Sequence, residues 1–251
     1  MESNDTAALK LPLCSAADLD SAVRVLGILP FFRGSLKGYS VQSFADPQLW
    51  FANDADGPWE WKGPVIGMGH AAYGKFFKAK AAYIRLDIFA DFLNYRRSTT
   101  EVSAEGVEAL GGLSERALLR TVEECGSVLS SELKEMLGLG RKMRRQAHEL
   151  VDALGLDTSA PGYRRGVLDA MLTRLQMAGR LCIAGFEYPV SAAGRQYGWG
   201  LARYTTPEAL YGAGILDAAG RTPVQSRQRM VEILAQSVPT ASTRQIHSLI
   251  G

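Results

Sequence analysis

The chain holds 251 residues, 47% of them hydrophobic and 22% charged, with 28 Lys and Arg set against 26 Asp and Glu. That composition is the one expected of a folded globular protein in one or two domains and excludes a disordered or fibrous chain. A formal net charge of +2 also excludes attraction to nucleic acid by bulk charge alone, so any basic surface has to come from uneven placement of the charges.

The three cysteines, Cys14, Cys125 and Cys182, form no CxxC pair, and His70, His148 and His247 lie far apart. No disulfide framework and no zinc spacing follow from them, and neither a metal nor a cofactor is expected. The start, MESNDTAALKLPLCSAADLD, lacks a basic stretch followed by a long apolar run, and nothing approaches about eighteen consecutive apolar residues. A cytoplasmic protein that does not enter a membrane is the expectation.

Residues 1–16 read as a tail. Ala17 to Leu29 reads as a helix with Leu19, Val23, Leu26 and Ile28 apolar, capped by Ser15 or Asp18 and ended by Pro30. From Phe31 to Lys80, glycine, proline and aromatic residues crowd together, which predicts short strands and tight turns, with DADGPW as a turn. Trp50, Trp59 and Trp61 fall in this stretch and either line a small core or border a pocket. Asp54, Asp56 and Glu60 stand among them as candidate carboxylates, although aspartates in such a segment also simply make turns.

In YGKFFKAKAAYI, an extended chain points Lys75, Phe77, Ala79 and Ala81 one way and Phe76, Lys78 and Lys80 the other. Interleaved cations and rings suit a nucleic-acid surface, and lysines equally defend an edge strand. Leu86 to Tyr95 reads as a short helix ending at Arg96 and Arg97, and a polar, glycine-containing linker near residue 100 marks a boundary.

The second half is helical. Ser114 caps a helix to about Cys125, and Ser130 or Ser131 caps a second that Gly138 ends. A third, RKMRRQAHELVDALG, opens with Arg141, Lys142, Arg144 and Arg145, cations set against the positive end of the helix dipole. An external anion such as DNA phosphate accounts for that placement, as does plain solvation. The fourth helix starts near Tyr163 and stops at Gly179, with Val167, Leu168, Met171, Leu172 and Leu175 on one stripe. Arg165, Asp169, Thr173 and Gln176 lie on the other face, with Arg180 just beyond. Strands Leu181–Tyr188 and Tyr197–Tyr204 follow, separated by PVSAAGRQ.

A long helix leading into a β-ribbon with a polar, basic tip is the pattern of a winged helix-turn-helix, in which the helix enters the major groove and the ribbon follows the backbone. Helix followed by hairpin also occurs in α+β domains that bind no nucleic acid. Thr205 onward adds a short cap, TTPEALYG, then helices over Val224–Gln236 and Ser242–Ile250.

This order of elements, together with WEWKGPVI, YGKFF, KAAYI and DFLNYRR upstream, resembles a family of uncharacterised bacterial relatives of the AlkZ-type DNA glycosylases. The strongest pieces are Trp59–Pro64, Tyr73–Phe77, Asn94–Arg97, Leu172–Met177 and Tyr197–Tyr204. The resemblance implies winged-helix units and duplex DNA as partner. It carries no active site across: the Gln-x-Gln or Gln-x-Asp motif of those glycosylases has no match here. Gln176 is followed by Met177 and Ala178, Gln225 and Gln228 have the wrong spacing, and Gln42 is unpaired.

The chain therefore reads as α+β: a β-rich, aromatic-rich first half (17–100), a winged helix-turn-helix domain (101–212) and C-terminal helices (213–251). Duplex DNA is the expected partner, met in the groove by Arg165, Thr173, Gln176 and Arg180, and at phosphates by Arg141, Lys142, Arg144, Arg145, Arg195 and Gln196. The glycosylase role is either divergent or lost. Two other readings stand beside it: an enzyme or ligand site at Trp59, Trp61, Asp54, Asp56 and Glu60, and a winged-helix module that binds proteins.

Overall fold

A computed structural model describes residues 9–52, 56–138, 160–188 and 200–251; of residues 109 and 160–165 it describes the backbone alone. The first helix, α1 (Ala16–Leu26), opens where the Ser15 hydroxyl accepts a hydrogen bond from the Asp18 amide at 3.1 Å and buries Leu19, Ala22, Val23 and Leu26. It ends three residues earlier than the sequence predicts. Gly27 takes a φ of +77°, and a side chain there would also strike Ile88, 2.5 Å from the position of its first carbon. The residues after it form strand β1 (Ile28–Pro30), paired antiparallel with the segment Lys80–Arg85.

The half expected to be β-rich holds more helix than strand. After a short helix α2 (Val41–Phe44), Pro58 to Gly67 form helix α3 instead of turns and strands. Proline at the first helical position has its torsion preset, and the Glu60 carboxylate takes the otherwise orphaned Gly57 amide at 3.0 Å. Strands β2 (Ala71–Phe77) and β3 (Lys80–Arg85) form a hairpin, giving a sheet of order β1-β3-β2.

The simple alternation expected for YGKFFKAKAAYI does not hold, because β2 carries one extra residue between Gly74 and Phe77. Phe76 and Phe77 are both buried as a result, while Lys75 points out. Lys78 and Ala79 make a two-residue turn with φ of 49° and 59°, the left-handed pair that type I′ hairpins use. Glycine suits the second position better than alanine. Ala79→Gly is expected to raise the unfolding free energy by about 0.5–1 kcal/mol, read as a higher urea midpoint at unchanged slope.

Helix α4 (Leu86–Thr99) follows β3 directly and serves as the anchor for residues from the far end of the sequence. Its fully buried Asp91 accepts from Arg221 Nε at 2.6 Å and from the Arg229 guanidinium, and Asn94 donates to the Arg221 carbonyl and the Ser226 hydroxyl. Helices α9 (Pro223–Ser237) and α10 (Thr243–Ile250) thereby join the first core. Met230, Leu234, Ile246 and Ile250 share one apolar cluster with Leu19, Phe31, Tyr83 and Phe92.

The second half has its own cluster, containing Leu118, Val122, Val128, Leu133, Leu168, Met171, Leu172, Leu175 and Leu181. Helix α5 (Glu115–Cys125) is capped by Ser114 as expected, its hydroxyl accepting from the Ala117 amide. A strand absent from the sequence reading, β4 (Ser127–Leu129), precedes α6 (Ser130–Met136), whose start is held by the Glu132 carboxylate on the Leu129 amide. The basic helix expected from Arg141 lies outside the described residues.

Helix α7 (Ala160–Met177) runs to the glycine stop the sequence indicates, with Gly179 at φ +67°. Strands β5 (Cys182–Glu187) and β6 (Leu201–Thr205) then pair, and β4 adds to β6, giving the antiparallel order β4-β6-β5. A short helix α8 (Pro207–Tyr211), capped by Thr206, closes this half. No helix among the described residues is long and apolar enough to cross a membrane.

Candidate functional site

Helix α7 lies at the junction of the two apolar clusters. Its apolar stripe, Leu168, Met171, Leu172 and Leu175, is buried in the second cluster. The face carrying Thr173 and Gln176 is not open to solvent; it packs on β2 of the first half. Gln176 is 1% exposed, its Oε1 accepting from the Lys75 amide at 2.9 Å and its Nε2 donating to the Leu172 carbonyl at 3.0 Å. Thr173 is 9% exposed, donates to the Asp169 carbonyl and accepts from Lys75 Nζ at 3.4 Å. Gly74 makes room for this contact: a methyl group there would stand 2.7 Å from the Phe76 ring and 3.2 Å from Gln176 Oε1.

Two of the four residues expected in a groove, Thr173 and Gln176, are therefore occupied within the chain. The sequence signal for this contact was Gly74, which interrupts β2 where the helix approaches. The exposed side of the same helix carries Asp169, paired with Lys134 at 3.4 Å, and Arg174, paired with Glu115.

Arg165 falls on the first turns of α7, where the backbone alone is described. Arg141, Lys142, Arg144, Arg145, Arg195 and Gln196 lie outside the described residues. Arg180 sits immediately after Gly179, half-buried beside Arg97. Arg97 donates from Nε to the Gly179 carbonyl at 2.9 Å and forms a two-pronged pair with Glu208, so it neutralises the carbonyl end of α7. Burial raises and the Arg97 hydrogen bonds lower the pKa of Glu208, and the arginine wins, holding that carboxyl below its usual range.

Trp50 and Trp61 belong to the first apolar cluster, and Trp59 packs against it. Trp61 is 4% exposed and its indole donates to the Asp56 carbonyl at 3.1 Å. Trp59 packs its ring 5.5 Å from Phe31 and 5.7 Å from both Phe32 and Trp50. Asp56 is exposed and Glu60 is committed to the α3 start; Asp54 lies outside the described residues.

Lys62 belongs to this cluster and went unnoticed in the sequence. It is 7% exposed, with Nζ 4.2 Å from the Phe186 ring centre and 4.9 Å from that of Trp59. Burial lowers its ammonium to about 8, a drop that nearby Glu60 only moderates. The spacing of Trp59 and Lys62, three apart on one helix, was its available signal. Among the described residues, no group of three or more His, Cys, Asp or Glu could hold a metal ion.

The chain belongs to the AlkZ-related family, whose pattern matches residues 13–251. Among solved structures it is similar to the Streptomyces sahachiroi DNA glycosylase AlkZ, at 13% identity and a TM-score of 0.46, over 93% of this chain and 58% of that one. This chain thus spans a little over half the length of that protein. No curated protein matches the sequence.

Proposed function

We propose that the protein binds duplex DNA through its second half, a winged helix-turn-helix unit, as a divergent relative of DNA glycosylases. The observation that supports this most is the order α5, β4, α6, α7, β5, β6 with strands arranged β4-β6-β5. That is the arrangement in which a helix faces a groove and the ribbon between the last two strands reaches the backbone. Membership of a family named for AlkZ supports DNA as the ligand class.

Because Thr173 and Gln176 are packed on β2, groove contact falls to the first turns of α7, around Arg165. Recognition helices of this type read bases from their N-terminal residues, which agrees with that location. Arg144, with its basic neighbours, and Arg195 on the ribbon would then meet phosphates.

The test is a titration of fluorescent duplex, plain and alkylated, at two salt concentrations. Binding that weakens with salt is expected, with Arg165→Ala relaxing sequence preference and Arg144→Ala flattening the salt slope by about one unit. Base release from the alkylated duplex would add a glycosylase reaction. No binding at low salt, or binding indifferent to both substitutions, overturns the DNA reading. The second reading, a ligand or enzyme site in the first half, is favoured by Lys62 alone, an amine held among aromatic rings.

A further inference from the structure

A polar cleft of about 500 Å³ opens between the end of α4, the segment after it and α5, with Arg97, Arg116, Thr100 and Arg180 in its walls. An adjoining hollow of about 210 Å³ shares Arg97 and Arg180 and brings in Glu123 and Glu208. The charges there are unevenly spent. Arg97 and Glu208 satisfy one another. Arg180 does not share in that arrangement: its Nε is shielded from solvent and finds no hydrogen-bond partner, and no acceptor among the described residues meets its guanidinium.

A shielded cationic donor without an acceptor is costly, and Arg97 beside it adds repulsion. Glu123 and Glu101 line these walls, yet neither accepts a hydrogen bond from Arg180. Across the cleft, Arg116 is exposed and makes one long contact, Nη2 to the Val102 carbonyl at 3.5 Å, leaving its other donors free among the described residues. Two guanidinium groups with donors to spare, facing one polar cleft, match an oxyanion with several acceptor oxygens.

We infer that this cleft binds a phosphate group through Arg180 and Arg116. The group comes either from a DNA backbone, which would extend the proposed function to a contact at the far end of α7, or from a small phosphate compound.

The test is thermal unfolding of the full chain in a phosphate-free buffer, with inorganic phosphate titrated against chloride at equal ionic strength. A saturable rise in Tm is expected for the wild type. Arg180→Gln and Arg116→Gln each weaken that response about tenfold or more. Arg180→Gln also melts no lower than wild type when phosphate is absent, since burial and the repulsion of Arg97 outweigh the attraction of Glu208 and Glu123 for a guanidinium whose Nε has no acceptor. No phosphate-specific rise, an equal rise in both variants, or a lower phosphate-free Tm for Arg180→Gln overturns the inference.

Duplex binding by the same proteins separates the sources. If Arg180→Gln weakens both phosphate and duplex binding, the group is a DNA phosphodiester. If it weakens phosphate alone, the ligand is a small phosphate compound. A phosphate response without any duplex binding upholds the cleft and removes the DNA reading, whereas duplex binding without a phosphate response does the reverse.

Discussion

Asp91→Ala is expected to lower the unfolding free energy by about 3 kcal/mol, the lower part of the range for breaking a buried ion pair. Asp91 is 0% exposed and receives both Arg221 and Arg229, whose side chains remain 29% and 30% exposed. Without the carboxylate, water reaches the arginines in part, which moderates the loss. The hole in α4 and the lost tie to the C-terminal helices remain. Asp91→Asn keeps the shape and surrenders the charge, so it should fall between the two. Urea unfolding of the full chain measures this, and a midpoint for Asp91→Ala within error of wild type would show that the cluster carries little stability.

Gln176→Ala is expected to cost about 2 kcal/mol, because the Lys75 amide loses its acceptor and a cavity opens between α7 and β2 where the buried Gln176 side chain stood. The same substitution separates two roles for this residue. A clasp between the halves predicts lower stability with the duplex affinity of the folded protein unchanged. A base-reading residue predicts the opposite: unchanged stability and altered sequence preference. Measuring both on one preparation decides between them.

Helices with a clear apolar stripe and a capping residue were legible in the sequence. Ser114 caps α5, and Gly179 stops α7, as their positions suggest. What misled was composition taken as conformation. The glycine, proline and tryptophan of DGPWEWKGP look like turn material, yet proline at a first helical position favours a helix. The strand Ser127–Leu129 is too short for a period to show, and it exists because β6 offers it an edge.

At the candidate site, residue types were readable but their partners were not. Periodicity places Thr173 and Gln176 off the apolar stripe without revealing that a strand from about a hundred positions earlier covers them. Arg180 stood out as a cation beside a helix end, whereas its lack of an acceptor depends on Arg97 having taken Glu208. Lys62 was hidden for a related reason: a lysine in sequence is assumed to face water, and only the approach of Phe186 encloses it.

The first apolar cluster draws on residues from both ends of the sequence, while the buried members of the second, among the described residues, run from Leu110 to Leu181. On a ribosome, where chains emerge from the amino end, this reverses the order in which the halves can finish. The later-encoded cluster has all its parts once β6 has emerged. The earlier one must wait for residues 221–250, with Asp91 and the apolar side of α4 lacking their partners meanwhile. During that interval the nascent first half is the natural target for a holdase chaperone, and a codon pause before residue 221 would lengthen its exposure.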